Sequence, residues 1–204
     1  MKALMISDLQ WIDQEDWRKL LEINQEQFDV VFLLGDINQM LLQKIVEVFG
    51  HKGVYGVHGD FGYEGDLEYY GAIDCHGRVV ELKGMKVAGV EGSNRYKGGP
   101  YPMHTQEEIS MLCEELPPVD ILLCHNSPSG YHDQAGHPVY QGFRGLHDYM
   151  DRCHPRFLFH GHHHVNTVDY YMDTILVGVF GVIIYDFKSK SKECVLELSM
   201  EKTF

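Results

Sequence analysis

The sequence is poor in cysteine and has no long apolar run. Its five cysteines are scattered, odd in number and free of any C-x-x-C pair. This pattern argues against a disulfide framework or a cysteine-ligated zinc site, and it favours reduced thiols in the cytosol. Asp8 interrupts the first apolar run before a signal-peptide core forms, and the apolar stretch 175–185 contains two glycines and is too short to cross a bilayer. We therefore expect a cytoplasmic protein without a membrane partner.

Basic residues are also scarce. Lysine and arginine total 17 against 30 for aspartate and glutamate, which gives a formal net charge of −13. An acidic excess of this size repels nucleic acid polymers and anionic membranes at long range. A small anion is compatible with such a protein only where bound cations supply a local positive field. The composition therefore disfavours long nucleic acids as partners.

Short apolar runs alternate with helical patterns in the first part of the chain. The runs predict five buried strands, at 2–7, 29–34, 53–57, 119–124 and 156–160. Helices are predicted at 14–27 and at 39–49, the second with Asn38 as its cap and Gly50 as its stop. This alternation of strand and helix implies a parallel sheet with crossover helices.

The rest of the chain adds a hairpin, a helix and a run of strands. The hairpin is predicted at 81–87, and a capping box from Thr105 to Glu108 opens a helix that ends before Pro117. After His164 the pattern contains strands only, at 165–170, 174–179, 182–187 and 193–199. No repeat, low-complexity tract or linker interrupts the chain, so we predict one domain over residues 1–204. The predicted fold class is α/β, a four-layer α/β/β/α sandwich of two mixed sheets.

Several predicted strands end in residue types that bind metals. Asp8 and Gln10 follow the first strand, and period-two alternation puts them on one side. The remaining candidates, which follow four further strands, are Asp36, Asp60, His125, and His162 with His164, while His163 faces the opposite way. Because the carboxyl ends of parallel strands converge on one crevice, six or seven oxygen and imidazole ligands would meet there. Glycines that let the backbone turn sharply beside these residues are Gly35, Gly59 and Gly161.

This ordered set resembles the calcineurin-like metallophosphoesterases, whose pattern is D-x-H, G-D, G-N-H-D or G-N-H-E, a lone H, and G-H-x-H. The counterparts here are Asp8-Leu9-Gln10, Gly35-Asp36, Gly59-Asp60-Phe61-Gly62, His125 and Gly161-His162-His163-His164. Further stretches resemble the small phosphoesterases near the brain and fetal-tissue metallophosphoesterases, at 89–93, 124–128, 142–146 and 155–162. The Gly-Asp-Phe triplet is also similar to that of retromer's phosphoesterase-like subunit, which serves mainly as a binding scaffold. The resemblance covers most of the chain.

The resemblance implies a metallophosphoesterase-like fold with two divalent metal ions. One metal would take Asp8, Gln10, Asp36 and His164, and the other would take Asp36, Asp60, His125 and His162. In such sites two metals about 3.5–4 Å apart clamp a phosphate and activate a bridging water for in-line attack. Mixed imidazole and carboxylate ligands suit manganese, iron or zinc better than calcium. We assign catalysis to Asp36, Asp60 and His125, and substrate contacts to Asp60, Phe61, Asn126 and His163.

Three positions depart from the family pattern. Gln10 replaces a histidine ligand, and its amide oxygen is a weaker donor to a transition metal. Asp60 replaces an asparagine, so it binds metal well but cannot donate a hydrogen bond to phosphate. Phe61 replaces the histidine that assists the leaving group in the family, and the loss of a general acid typically costs about 10²–10⁴-fold in rate.

Other side chains offer substitutes for the missing histidine. His58 and His132 are close to the motifs in sequence, but for each an ordinary, partly exposed histidine is the favoured interpretation. Tyr96 and Tyr101 belong to a loop that could overhang the site, although a plain connecting loop is favoured. Trp11 either forms a pocket wall or packs at the first helix. The histidines interpreted as surface or turn residues are His51, His76, His104, His137, His147 and His154.

The sequence thus leads to two hypotheses of function. The first is a metal-dependent phosphoesterase that hydrolyses a phosphomonoester or phosphodiester through a water bridging two divalent metals, with an activity that the three departures would reduce. Its expected partner is a small phosphorylated substrate or a nucleotide, and a homodimer is compatible with the sequence. The alternative is a catalytically impaired, phosphoesterase-like binding or scaffold protein that retains metal.

Overall fold

Two six-stranded mixed sheets form the centre of the computed structural model, which describes residues 1–196 and 198. The strands of the first sheet, in spatial order, are β14 (Ser191–Leu196), β13 (Gly181–Asp186), β1 (Lys2–Ser7), β2 (Val30–Leu34), β3 (Val54–Val57) and β4 (Ile73–Asp74). From β1 to β4 the neighbours are parallel, whereas β13 runs antiparallel to both β1 and β14. The carboxyl ends of β1, β2 and β3 therefore lie at one edge of this sheet.

The second sheet has a similar layout. Its strands, in spatial order, are β11 (Val168–Tyr171), β12 (Thr174–Gly178), β10 (Phe157–His160), β9 (Ile121–Cys124), β6 (Met85–Val90) and β5 (Val80–Leu82). The four inner strands are parallel, and the hairpin between β5 and β6 turns where the sequence predicts it. A separate short ribbon joins β7 (Ser93–Asn94) to β8 (Met103–His104).

Helices cover the outer faces of both sheets. They are α1 (Gln14–Leu21), α2 (Gln39–Phe49), α3 (Asp66–Tyr70), α4 (Gln106–Glu115) and α5 (Arg144–Cys153). The predicted caps are confirmed: the Asn38 side chain accepts a hydrogen bond from the Met40 amide at the start of α2, and Thr105 and Glu108 form a reciprocal capping box on α4. Within the described residues, none of these helices is long and apolar enough to cross a membrane.

Successive side chains along a strand pack against different layers of the fold. Leu4 and Ile6 of β1 pack towards α1 and α2, whereas Ala3 and Met5 of the same strand pack against the second sheet. This division follows because successive side chains of a strand point to opposite faces. The helices α4 and α5 cover the outer face of the second sheet, where Leu146 lies in a third apolar cluster. The predicted α/β/β/α sandwich of two mixed sheets is confirmed.

Some element predictions are wrong. The helix predicted at 14–27 ends at Leu21, because Asn24 caps a separate 3-10 turn at Gln25–Gln27. The predicted strand at 165–170 begins only at Val168, and the strand predicted at 193–199 begins earlier, at Ser191, while positions 197 and 199 lie outside the described residues. The sequence interpretation missed α3 and α5.

Candidate metal centre

The candidate ligands Asp8 and Asp36 lie where β1 and β2 end. The Asp8 amide donates to the Gly35 carbonyl at 3.2 Å, and the next amide along the chain, that of Leu9, donates to the Asp36 carbonyl at 2.7 Å. Both aspartates have left-handed backbone, with φ of 59° at Asp8 and 53° at Asp36. Gly35 has φ of 94°, and a Cβ there would collide with the His125 ring, so only glycine allows this approach.

The left-handed backbone shows that our predicted cause of the ligand arrangement, strand alternation, is wrong. We predicted that strand alternation places Asp8 with Gln10, and His162 with His164. However, β1 ends at Ser7 and β10 ends at His160, and φ is 62° at His162 and 51° at His164. Turns after the strands, rather than extended backbone, therefore direct these side chains. Backbone of this kind is unfavourable for residues other than glycine and is concentrated at functional sites.

One half of the centre contains Asp8, Gln10, Asp36 and His164. His164 Nε2 lies 3.7 Å from Asp8 Oδ1, and Gln10 Nε2 donates to Asp36 Oδ2 at 3.5 Å. The Ser7 hydroxyl and the His162 amide donate to the Asp8 carboxylate, which fixes its orientation. The structure thus brings together the four residues that the resemblance gives to one metal.

The other half contains Asp36, Asp60, His125 and His162. His125 Nε2 lies 3.1 Å from Asp60 Oδ1 and 3.6 Å from Asp36 Oδ2, and His162 Nδ1 lies 3.2 Å from Asp60 Oδ1. The second half therefore holds the four residues that the resemblance gives to the other metal, with Asp36 common to both sets.

The two histidines around Asp60 are oriented by backbone carbonyls. His125 Nδ1 donates to the Leu34 carbonyl at 2.7 Å, and His162 Nε2 donates to the Val139 carbonyl at 2.9 Å. A carbonyl oxygen can only accept, so these nitrogens carry protons, and the opposite nitrogen of each ring is the one that faces Asp60. Such orientation of histidine by a carbonyl is typical of metal ligands.

The burial of three aspartate side chains also favours a metal site. Asp8, Asp36 and Asp60 are 2%, 3% and 0% exposed. Burial raises the pKa of Asp36 to about 7, against the effect of His125. Burial disfavours the charged form of His125, but the carboxylates of Asp36 and Asp60 outweigh it and raise the pKa of His125 to about 10. Burial also opposes ionisation of Asp60, but hydrogen bonds from His125 and His162 hold the pKa of Asp60 well below its usual range. The carboxylates thus attract positive charge, which a divalent cation would supply while it displaces the proton of His125.

Gln10 provides a further test of whether a cation fits. Its Oε1 atom is buried and has no hydrogen-bond partner within residues 1–196 and 198. A buried acceptor without a partner costs about 1–3 kcal/mol, whereas a cation would satisfy it. Three buried carboxylates, two imidazole nitrogens aimed at Asp60 and this amide oxygen fit divalent cations of the manganese, iron or zinc class.

A basic and aromatic loop lies beside Asp60 and was not interpreted correctly from the sequence. We favoured a plain connection for residues 95–102, yet the Tyr96 hydroxyl donates to Asp60 Oδ2 and Lys97 Nζ lies 3.7 Å from the same atom. Lys97 Nζ also lies 4.0 Å from the Phe61 ring centre and 4.5 Å from that of Tyr101. Lys97 was missed because no sequence signal connects a lysine in a Gly/Pro-rich loop with Asp60.

Phe61 and Trp11 form an exposed wall next to this loop. The Phe61 amide donates to Asp36 Oδ1 at 2.9 Å, while its side chain is 43% exposed and its ring centre lies 6.0 Å from that of Trp11. Trp11 is 59% exposed, which disagrees with a packing role at the first helix, and a pocket wall stays a prediction.

Asn126 and His163, which we predicted to contact substrate, contact each other. His163 Nε2 lies 2.8 Å from Asn126 Oδ1 and 3.0 Å from the Ser127 hydroxyl. Asn126 Nδ2 donates to the Gln141 carbonyl, and burial lowers the pKa of His163 to about 2, so that its ring is neutral. A contact between these two side chains and a substrate stays a prediction.

The two candidate substitutes for the missing histidine each lie beside other polar side chains. His132 lies 2.7 Å from His160 Nε2 and 2.9 Å from Asp169 Oδ2. His58 is buried rather than partly exposed, and it lies with Asp74 and Glu91. His76 and His104, interpreted as surface or turn residues, are half-buried beside Glu91.

The fold matches solved structures at low sequence identity, and two of these are of a hydrolase and a phosphodiesterase. A phosphopantetheinyl hydrolase from Mycobacterium tuberculosis is 13% identical, with a TM-score of 0.62 over 88% of this chain and 89% of that chain. A novel archaeal phosphodiesterase is 16% identical, with a TM-score of 0.53 over 95% and 98% of the two chains. A protein of Thermus thermophilus is 14% identical, with a TM-score of 0.67 over 94% and 96%.

No protein-family model and no curated protein matches the chain. At these identities the likeness to solved structures concerns the fold alone. The chain has the calcineurin-like metallophosphoesterase fold, in agreement with the resemblance of its motifs.

Proposed function

We propose that this protein is a metal-dependent phosphoric ester hydrolase that acts on a small phosphomonoester or phosphodiester, including a nucleotide. The observation that carries the proposal is the arrangement at Asp60. Two histidines held by backbone carbonyls turn their other ring nitrogens to its carboxylate, beside the buried Asp36 and Asp8. Buried carboxylates at this density need positive charge, and divalent cations held by these oxygens and nitrogens would supply it.

The residues of the centre form two sets of ligands, one for each of two cations. Asp8, Gln10, Asp36 and His164 would hold one, and Asp36, Asp60, His125 and His162 would hold the other. When bound, manganese, iron or zinc would polarise a phosphoryl oxygen and lower the pKa of a water for in-line attack. Asp36 and Asp60 would serve as ligands, and His125 holds the Asp60 carboxylate in place.

The loop at 95–102 supplies positive charge where phosphate would bind. Lys97 Nζ lies beside Asp60 and over the Phe61 ring, and the Tyr96 hydroxyl already reaches Asp60. An ammonium group in this position neutralises non-bridging phosphate oxygens and stabilises charge as the leaving group departs. In the proposal Lys97 takes over part of the task that the family gives to a histidine at position 61.

The same proposal places the protein in the cytoplasm. Three of its thiols, those of Cys75, Cys113 and Cys124, are buried, which suits a reducing compartment.

Hydrolysis of p-nitrophenyl phosphate and bis(p-nitrophenyl) phosphate with Mn²⁺ tests the proposal. We expect turnover in the wild type and a loss of at least about 10²-fold in kcat/KM for Asp36→Asn and for His125→Ala. Asp148→Asn, on the exposed face of α5, is the matched control and should be fully active. Activity that survives both centre variants would rule out this mechanism.

A scaffold that binds metal without turnover is the second candidate, and Gln10, Asp60 and Phe61 together favour it. This function would give tight metal binding, no hydrolysis of any phosphoester, and recovered turnover in an Asp60→Asn, Phe61→His double variant. Robust turnover by the wild type would eliminate it.

A further inference from the structure

A second group of metal-ligand side chains lies outside the candidate metal centre, beside the β7–β8 ribbon. It consists of His58, Asp74, His76, Glu91 and His104, and we call it the Glu91 cluster. One ligand atom each of His58, Asp74 and Glu91 lie within 4.8 Å of one another, and the same holds for His76, Glu91 and His104. Glu91 belongs to both sets and is only 7% exposed, so it is the centre of the cluster.

The backbone is built to bring these segments together. The Gly92 amide donates to the His58 carbonyl at 2.9 Å, which holds the end of β3 against the end of β6. Gly92 has φ of 70°, and a Cβ at this position would collide with the Pro102 carbonyl and crowd the His104 ring. The close approach of His104 to Glu91 therefore depends on glycine at position 92.

Two imidazole nitrogens of the cluster lack a partner. His58 Nε2 and His104 Nε2 are buried and have no hydrogen-bond partner among the described residues. His58 is 4% exposed, and His104 Nε2 lies 3.4 Å from Glu91 Oε1. A buried nitrogen without a partner costs about 1–3 kcal/mol. Because His58, Asp74 and Glu91 each place one ligand atom within 4.8 Å of the other two, a cation among them would give the His58 ring a partner.

His76 orients Glu91 rather than binding the cation. Its Nδ1 atom accepts a hydrogen bond from the Glu91 amide at 3.0 Å, so the ring proton is on Nε2, which lies 3.7 Å from Glu91 Oε1. These two contacts hold the Glu91 side chain in place beside His76, so His76 is a positioning residue for Glu91.

We propose that the Glu91 cluster binds one divalent cation of the zinc class, through His58 and the carboxylates of Asp74 and Glu91. One imidazole and two carboxylates suit a zinc-class ion that keeps a further position open. An open cleft of about 520 Å³, lined in part by His76, Glu91 and His104, gives the ion a route from solvent. The site shares no residue with the candidate metal centre and does not rest on the proposed function.

The site also has a structural consequence for the loop at 95–102. The ribbon of β7 and β8 closes that loop, and His104 is the last residue of β8. Because His104 Nε2 lies 3.4 Å from Glu91 Oε1, a cation that holds Glu91 would also steady the base of the loop that carries Tyr96 and Lys97.

Zinc stoichiometry in a protein without the first centre tests the proposal. The full chain with Asp8→Asn, Asp36→Asn and Asp60→Asn is stripped with a chelator, titrated with Zn²⁺ by equilibrium dialysis, and examined with Co²⁺ for the absorption of a four-coordinate ion. We expect one Zn²⁺ per chain, and at least a tenfold loss of affinity when His58→Gln is added. His51→Gln, an exposed histidine, is the matched control and should leave Zn²⁺ binding unchanged.

Two results would overturn the proposal: no Zn²⁺ bound by the background protein, or unchanged affinity with His58→Gln. Glu91→Gln adds a further check, because lower stability with unchanged Zn²⁺ stoichiometry means a hydrogen-bond network and no metal site. Should Glu91→Gln fail to fold, the ring resonances of His58 in the background protein must still shift on addition of Zn²⁺. Loss of hydrolytic activity has no bearing on these readouts, so failure of the proposed function is seen separately.

Discussion

Lys97 Nζ lies 3.7 Å from Asp60 Oδ2, and this pair joins the 95–102 loop to the candidate metal centre. Asp60 is fully buried, while the ammonium is partly open to solvent on the side of Phe61 and Tyr101. A cation in this position faces both the centre and the space where a phosphate would lie. In the proposed function, Lys97 would therefore both hold the Asp60 carboxylate and attract the negative charge of a phosphate.

Replacement of Lys97 tests this connection. We expect Lys97→Met to lower kcat/KM for phosphoester hydrolysis by about 10²-fold, because it removes a positive group that acts on the developing charge. Lys97→Arg should recover part of the loss, and Lys188→Met, an exposed lysine distant in sequence, should have no effect. Steady-state kinetics measure these effects. An unchanged kcat/KM in Lys97→Met would show that Lys97 has no part in hydrolysis.

Phe61→His should restore a proton donor to the leaving group. The Phe61 side chain is 43% exposed, so a smaller polar ring is accommodated without a buried cavity. General acid help matters most when the leaving group is a poor one, so we expect an increase of up to about 10²-fold with an alkyl phosphate and little change with nitrophenyl phosphate. Phe61→Leu is the control for loss of the ring. Equal changes with both substrates would contradict a proton-donor role.

Gln10→His should strengthen the half of the centre that contains Asp8, Asp36 and His164. An imidazole nitrogen suits manganese, iron or zinc better than an amide oxygen. We expect Mn²⁺ or Zn²⁺ affinity at this half to rise at least about tenfold, which corresponds to about 1.4 kcal/mol. Isothermal titration on Gln10→His and on the matched Gln10→Leu measures the change. Identical affinity in the wild type and in Gln10→Leu would show that Gln10 Oε1 is no ligand.

Stability of the metal-free protein should depend on pH through Asp36. Its folded pKa is raised from 3.8 to about 7, chiefly by burial, so the folded state holds a proton that the unfolded chain releases. The contribution to stability is therefore complete below about pH 4 and is lost as pH rises through 7. Urea unfolding at pH 5 and pH 7.5 in a chelator should show this fall in the wild type and a smaller one in Asp36→Asn.

A bound cation should replace the proton on Asp36. Addition of Mn²⁺ at about 100 times its dissociation constant would stabilise the wild type by about 2.7 kcal/mol. The same addition should reduce the difference between pH 5 and pH 7.5. Parallel pH curves for the wild type and Asp36→Asn, with or without Mn²⁺, would contradict this account.

Much of the fold could be predicted from local sequence patterns. The strand β1 and the helix α2 match their predicted bounds, because a continuous apolar run and clear cap residues mark their ends. The helix α5 was missed although Leu146, Tyr149 and Met150 are buried at helical spacing. Its start lacks a side-chain cap at Phe143, so the usual signal for a helix N-terminus is absent there.

The candidate site could be predicted only in part. The metal-ligand residue types were apparent because each follows its own strand, and parallel strands bring such ends together. Tyr96 and Lys97 reach Asp60 through the shape of a loop, which short-range patterns do not contain. The same is true of the Glu91 cluster, where Asp74, Glu91 and His104 come from three separate segments of the chain.

The left-handed backbone at Asp8, Asp36, His162 and His164 has a consequence for how the proposed centre would acquire metal. Since the turns after the strands set these side chains, the donor atoms are assembled when the chain folds and do not wait for an ion to gather them. One cation can then be exchanged for another without refolding. The metal content of this protein should therefore follow the supply in its surroundings, so that cultures rich in manganese and cultures rich in zinc yield the same fold with different occupants.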